Sequence, residues 1–224
     1  MVKIYGIVTD FNGNPIEKST VEIKNKHFET IYQTFTDAEG KYRLEVVEGT
    51  YIAMYICKDY LVKNLEYWAW NILAYRDLEI NARIDGLEVY AINAWMPQGA
   101  LPSIQIYFRP MSLRRVKELS KRLGIGFPPS QEELKSLKVI DIAPRLTKKD
   151  VTVTVDGYPV EILTLNKVEE AAGEDQVILG YLIQTSLPGQ WRNSDYSRIC
   201  ITVEDSETGE KGEGCLFWQK PKYV

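Results

Sequence analysis

The chain has 224 residues, with 27 Lys and Arg against 31 Asp and Glu, a net charge of −4, and 45% apolar residues. That mixture belongs to folded globular chains of one large domain or two of about 100 residues each, and it excludes a disordered or broadly basic protein. No run approaches the ~18 apolar residues of a helical membrane span, and Met1-Val2-Lys3 leads straight into Ile4-Tyr5-Gly6-Ile7-Val8, which reads as a first strand and not as a secretory leader.

Charge divides the chain into three parts. Residues 1–111 carry 11 basic and 14 acidic side chains, residues 112–149 carry 10 and 4, and residues 150–224 carry 6 and 13. The first part is built of short strands: Val21-Glu22-Ile23 and Tyr42-Arg43-Leu44-Glu45-Val46 alternate apolar and polar with period two. Asn12-Gly13-Asn14-Pro15 and Asp37-Ala38-Glu39-Gly40 are turns, because Gly accepts positive φ, Pro fixes its own φ, and Asp or Asn bonds back to the turn backbone. A further break at Glu48-Gly49-Thr50 precedes the strand Tyr51–Ile56. Turns every ~8–12 residues predict an antiparallel sandwich or barrel.

These residues carry a resemblance. Gly6-x-Val8-x-Asp10-x-x-Gly13-x-Pro15-Ile16, then Val21-x-Ile23, Thr36-Asp37-x-x-Gly40-x-Tyr42 and Gly49-x-Tyr51 resemble the carboxypeptidase regulatory-like family over residues 3–62. Ser19-Thr20 stand where that family usually has an Ala before the Val of the strand. The resemblance implies a prealbumin-like (transthyretin-like) β-sandwich and a non-catalytic module attached to enzymes or surface proteins. It carries over no functional residue.

Beyond it, Leu78–Ile84 alternates, and Asp85-Gly86 is expected to turn a two-residue hairpin into Leu87–Ala91, with Ser103–Phe108 as a further strand. The basic part is helical: Leu113, Val116, Leu119 and Leu123 recur at helical spacing between an N-cap, Ser112, and a stop, Gly124. Ser130-Gln131-Glu132-Glu133 is a capping box opening a second short helix through Leu134 and Leu137. The last part returns to strands at Asp150–Ile162, Gln176–Thr185, Ile199–Glu204 and Gly214–Trp218. It resembles, in pattern alone, the immunoglobulin-like domains of bacterial surface proteins.

Rare residues narrow the chemistry. His27 is the only histidine, in a polar Lys24–Phe28 stretch that reads as a solvated hairpin tip, so metal sites needing two imidazoles are excluded. No CxxC, GxGxxG or GxxxxGK[ST] occurs, and no DxDxDG calcium loop. The carboxylate pairs Glu169-Glu170, Glu174-Asp175 and Asp205-Glu207 fall in expected loops, where solvent keeps acids ordinary. The basic residues Arg114, Arg115, Lys117, Lys121 and Arg122 form the outer face of the first helix, a solvated face or a complement to the acidic parts, with nucleic acid disfavoured. Cys200 and Cys215 fall opposite each other across a turn; two thiols facing the core are favoured over a cross-strand disulfide, and Cys57 reads as a small core residue.

The suggestive feature is aromatic. Trp68 and Trp70 share one strand face, with Glu66 and Asn71 beside them and Tyr75 and Trp95 further along. Such a face stacks on a pyranose, or it closes a core or interface. The sequence therefore predicts an all-β protein of two antiparallel β-sandwich domains, 1–111 and 150–224, joined by a basic helical insert, 112–149. It predicts a non-catalytic binding, interaction or structural module, holding a partner protein or forming part of a larger surface assembly, with no cofactor, no metal and no membrane insertion; the alternative is carbohydrate binding through Trp68, Trp70, Glu66, Asn71, Tyr75 and Trp95. A native Met1 predicts a cytoplasmic protein, and a trimmed export signal predicts the cell surface.

Overall fold

The computed structural model describes residues 1–173, 175–191 and 195–219. Seventeen strands, two short α-helices and a 3-10 turn occur among these residues. They form an all-β protein of three stacked sheets enclosing two cores.

The first sheet holds β1 (Val2–Thr9), β4 (Lys41–Val46), β7 (Leu78–Glu79) and β8 (Ala82–Arg83). The central sheet has eight strands: β2 (Thr20–Lys24), β3 (Thr30–Phe35), β5 (Gly49–Cys57), β6 (Tyr67–Ala74), β12 (Val151–Val155), β13 (Tyr158–Val160), β16 (Ser197–Glu204) and β17 (Lys211–Trp218). The third sheet holds β9 (Leu87–Trp95), β10 (Ile104–Ser112), β11 (Val139–Ile140), β14 (Ile162–Ala171) and β15 (Val177–Thr185).

Strand alternation explains the layering. In β6, Tyr67 and Ala69 enter the core under the first sheet, whereas Trp68 and Trp70 enter the core under the third. In β17, Cys215 and Phe217 face the first core, and Leu216 and Trp218 the second. A strand buried on both faces reads as a nearly continuous apolar run, which is what Tyr67-Trp68-Ala69-Trp70 and Cys215-Leu216-Phe217-Trp218 are. The two strands pair in parallel, Gly214 with Trp68 and Leu216 with Trp70. Strands from both ends of the chain thus lie in one sheet, and β9 and β10 of residues 1–111 lie in the third sheet, with β10 paired to β15. The expected boundaries at 111 and 150 do not separate the sheets.

Two glycines make the close stacking possible. A Cβ on Gly212 would lie 2.1 Å from the Leu87 carbonyl oxygen, and one on Gly214 2.6 Å from that of Val89, so β9 crosses β17 backbone to backbone. Asp85-Gly86 is not the expected hairpin turn. β7 and β8 pair in parallel with β1, and the chain then crosses at Asp85-Gly86 to β9 in another sheet. Leu65 N–H donates to the Asp85 carbonyl and Leu113 N–H to that of Gly86, fixing the corner.

The insert begins as expected. Helix α1 spans Leu113–Leu123, with Ser112 Oγ accepting from Arg115 N–H and Gly124 left-handed at φ 65°. Helix α2 (Gln131–Leu134) has the capping box but only four residues. Leu137 lies beyond it and packs with Leu134 against Val116, Leu119 and Ile142. The start of α1 is bound to the acidic β16–β17 turn: Arg115 pairs with Asp205 and Glu207, and Ser112 Oγ donates to Glu210.

Cys200 and Cys215 lie directly across β16 and β17 and form a disulfide, in place of the two thiols favoured from sequence; their Cα atoms are 4.3 Å apart. That spacing belongs to a non-hydrogen-bonded antiparallel pair, where side chains approach closely.

Two outcomes follow. Gly212→Ala lowers stability by about 1–3 kcal/mol, the cost of overpacking a closed interior, and amide exchange rises together in β1 and β15, because both sandwiches hang on β17. Exchange changing in one core only would indicate independent units. Cys200→Ser with Cys215→Ser lowers the chemical-denaturation stability by about 3 kcal/mol, as expected for a loop of this length.

Candidate functional site

The expected aromatic residues do not form one surface. Trp68 and Trp70 are together on one strand face, stacked with centroids 5.3 Å apart and planes 18° apart. They are only 6% and 9% exposed. Tyr90 meets both edge-on at 5.3 and 5.0 Å, Tyr55 meets Trp68 at 5.3 Å, and Phe28 from the β2–β3 turn covers both at 6.3 and 6.0 Å. Pairs of this kind contribute about 0.5–1.5 kcal/mol each beyond their burial. The rings that would stack on a sugar are occupied by other rings of the protein.

The remaining candidates lie elsewhere or serve this packing. Glu66 is half-buried and accepts a hydrogen bond from Trp68 Nε1 at 2.8 Å. Asn71 is exposed and left-handed at φ 55°, between the Tyr51–Ile72 and Ala53–Trp70 pairs of β5 and β6, whose register runs through it unshifted. Tyr75 is exposed and its hydroxyl shares a hydrogen bond with Thr50 Oγ1. Trp95 is 45% exposed at the end of β9.

Behind the tryptophans lies a carboxylate pair that the sequence reading missed. Glu88 is buried on β9, and burial pushes its acid up to about 8; the Glu66 charge raises it further, while the Glu66 backbone N–H and Arg109 oppose the rise. Its Oε2 has no hydrogen-bond partner among the described residues. Glu66 is raised chiefly by burial, against the Trp68 hydrogen bond and the Lys24 charge. Burial likewise pushes the Cys57 thiol up to about 12. The sequence carries no signal for this, because Glu88 takes the polar position of a regular Leu87-Glu88-Val89 alternation, where exposure is expected.

Other acids depart from expectation. Glu169 and Glu170 lie in strand β14, not in a loop, and Glu170 accepts from Tyr107 and Arg109. Asp205 is buried and held by Arg115, so solvent does not set its surroundings. Of Glu174-Asp175, Glu174 lies outside the described residues. His27 is exposed in the β2–β3 turn. Among the described residues no group of His, Cys, Asp or Glu is arranged to hold a metal ion, and no helix is long and apolar enough to cross a membrane.

A concave site occurs where loops of the first and central sheets meet. A cleft of about 580 Å³ is walled by the Asp10–Glu17 turn, the Lys58–Asn64 loop, the Ile84-Asp85 corner, Gly209 and Lys211. The first wall is fixed by Asp10, whose carboxylate accepts from Asn12 N–H, Asn14 N–H and Asn14 Nδ2, lowering its pKa. In the second, the Asp59 carbonyl faces three N–H donors, from Val62, Lys63 and Asn64, while Asn64 Nδ2 donates to the Lys58 carbonyl. Asp59 and Leu61 are left-handed at φ 51° and 59°, conformations that cost a non-glycine residue free energy. Lys211 N–H donates to Asp85, tying the β17 end of the cleft to the sheet corner.

This architecture defines a double β-sandwich protein with its buried aromatics in the joint and a polar cleft in the loops. Residues 3–54 match the carboxypeptidase regulatory-like domain, within the stretch where the turn pattern resembles it. No curated protein matches the chain. Among solved structures, the BcpA*(D312A) major pilin subunit of Bacillus cereus is 11% identical, with 96% of this chain and 69% of that one covered and a TM-score of 0.31. A DUF3823 family protein from Bacteroides ovatus is 9% identical over 97% of this chain and 99% of its own, with a TM-score of 0.29.

The buried acid has a measurable sign. The folded Glu88 pKa lies above the unfolded value, so its contribution is fully present below about pH 4.5 and is lost as pH rises through about 8. Stability therefore falls across that window, and Glu88→Gln flattens the fall in urea melts at successive pH values. An unchanged slope in the variant would remove Glu88 from the account.

Proposed function

We propose that the protein is a non-catalytic β-sandwich binding module, engaging a protein or carbohydrate ligand through its loops and not through the tryptophan pair. The observation that carries this reading is the cause of the shifted acidities. Shifted groups often mark active sites, yet burial comes first among the causes at Glu88, Glu66 and Cys57, and other residues line the polar cleft. The match to the regulatory-like domain over residues 3–54 supports the same reading. The Cys200–Cys215 disulfide favours an oxidising compartment, and with it the exported alternative.

The aromatic-face alternative makes a different demand. It needs Trp68 and Trp70 open to a pyranose, whereas both are buried beneath Phe28, Tyr55 and Tyr90. Acrylamide quenching is expected to reach Trp95 and to leave Trp68 and Trp70 shielded. Trp68→Ala is expected to cost about 3–5 kcal/mol of stability. An exposed pair, with sugar binding lost in a fully stable Trp68→Ala protein, would restore the aromatic face. Incubation with saccharide and peptide panels should return every ligand chemically unchanged, and a converted product would overturn the non-catalytic reading.

A further inference from the structure

We propose that the cleft between the Asp10–Glu17 turn and the Lys58–Asn64 loop binds an uncharged oligosaccharide. The inference rests on the binding-module reading and gives that module a site and a ligand class.

Size and rigidity come first. A volume of about 580 Å³ is within the usual range for small-molecule sites and far exceeds what a single inorganic anion fills. Both long walls are held by their own hydrogen bonds, through the Asp10 carboxylate on one side and the Asp59 carbonyl on the other. The Asp85 links to Leu65 and Lys211 join the wall segments. A ligand therefore meets walls already ordered, and little conformational entropy is lost on binding. Left-handed Asp59 and Leu61 bend the second wall into this shape, and such conformations persist where the surroundings over-determine them.

Charge selects the ligand class. Three lysines on the lining, Lys58, Lys63 and Lys211, face four acids, Asp10, Glu17, Asp59 and Asp85. Several are already matched: Lys58 with Asp59 at 3.6 Å, Lys211 with Glu204 at 3.1 Å, and Glu17 with Lys18 at 3.3 Å. An anion would meet the acids and a cation the lysines, with no field of one sign to hold either. A neutral polyhydroxyl chain uses both kinds of group, since each hydroxyl donates and accepts. Lys63 makes no ion pair among the described residues and Asn12 presents an exposed amide, leaving donors for ring and hydroxyl oxygens. Phe11, Pro15 and Ile84 supply apolar surface for the C–H faces of a sugar.

The test is titration of the full chain with short neutral gluco-, manno-, xylo- and galacto-oligosaccharides, followed by calorimetry and amide chemical shifts. Uronate-bearing oligosaccharides and acidic peptides form parallel arms. Saturable binding of a neutral sugar is expected, with shifts at Asn12, Gly13, Lys63 and Gly209. Affinity should fall about tenfold or more in the Asn12→Ala, Lys63→Ala double variant, a loss of roughly 1.4 kcal/mol. Both positions are exposed, so thermal melting should be unchanged. Tryptophan emission should stay constant, because no tryptophan lines the cleft. Neutral-sugar binding unaffected by the double variant would overturn the cleft while leaving the module reading intact. Binding confined to the uronate or peptide arms would overturn the ligand class, and silence in every arm would overturn the site.

Discussion

The structure depends on one pairing: β6 beside β17 in parallel, both strands buried on both faces. Parallel neighbours cannot be joined by a tight turn, and here most of the chain lies between them. Their union converts two sandwiches into three layers with a common middle sheet. Each side chain of Tyr67–Trp70 or Cys215–Trp218 belongs to one core or the other, and the backbone between belongs to both. Gly212 and Gly214 follow from the same constraint, because β9 can cover β17 only where no Cβ intervenes. The Cys200–Cys215 bond then ties β17 to β16 at the level of the Trp68–Trp70 contact.

Polar groups accumulate where this joint is closed. Arg83 donates to Glu213 from its main chain and its guanidinium, bringing the end of the first sheet onto β17. Arg115 holds Asp205 and Glu207, and Glu210 accepts from Ser112 and Arg114 N–H, so the helical insert is anchored on the β16–β17 turn. These groups all have partners, drawn from 90 to 130 residues away in sequence. Glu88 differs, since it is buried with one oxygen unpaired among the described residues and with the Glu66 carboxylate acting on it. Protonation relieves part of that cost, because a neutral carboxyl loses less on leaving water than a carboxylate. Its raised pKa is thus a consequence of burial in the stacked architecture and needs no catalytic purpose.

How much of this was legible depends on whether a signal was local. The strands β1, β2, β4 and β5 were readable because period-two alternation and turn residues lie within a few positions of one another. Helix α1 was readable for the same reason, with its cap, stripe and stop contiguous. Asp85-Gly86 misled because a favoured hairpin dipeptide also suits a corner between sheets, and only the distant partners of β7 and β8 decide which it makes. Strand β14 escaped notice since Leu163-Thr164-Leu165-Asn166-Lys167 lacks clean alternation; it pairs with β15 alone. Trp68 and Trp70 were correctly assigned to one face, but their exposure was not written in β6. It was decided by Phe28 and Tyr90, which lie about 40 and 20 residues away in sequence.

The same logic directs attention from strands to loops. When a strand is covered on both faces, its side chains are committed to packing, and any change there disturbs two cores at once. Loops between strands carry no such obligation, provided their own hydrogen bonds hold them. Asp10 and Asp59 do this for the two cleft walls, one through its carboxylate and the other through its carbonyl. The walls are consequently braced without being built into either core, so their exposed residues Asn12 and Lys63 can change while the fold stays constant. A double sandwich of this kind separates packing from exposed polar surface by position: aromatics and aliphatics hold the joint, and polar side chains on braced turns line the cleft.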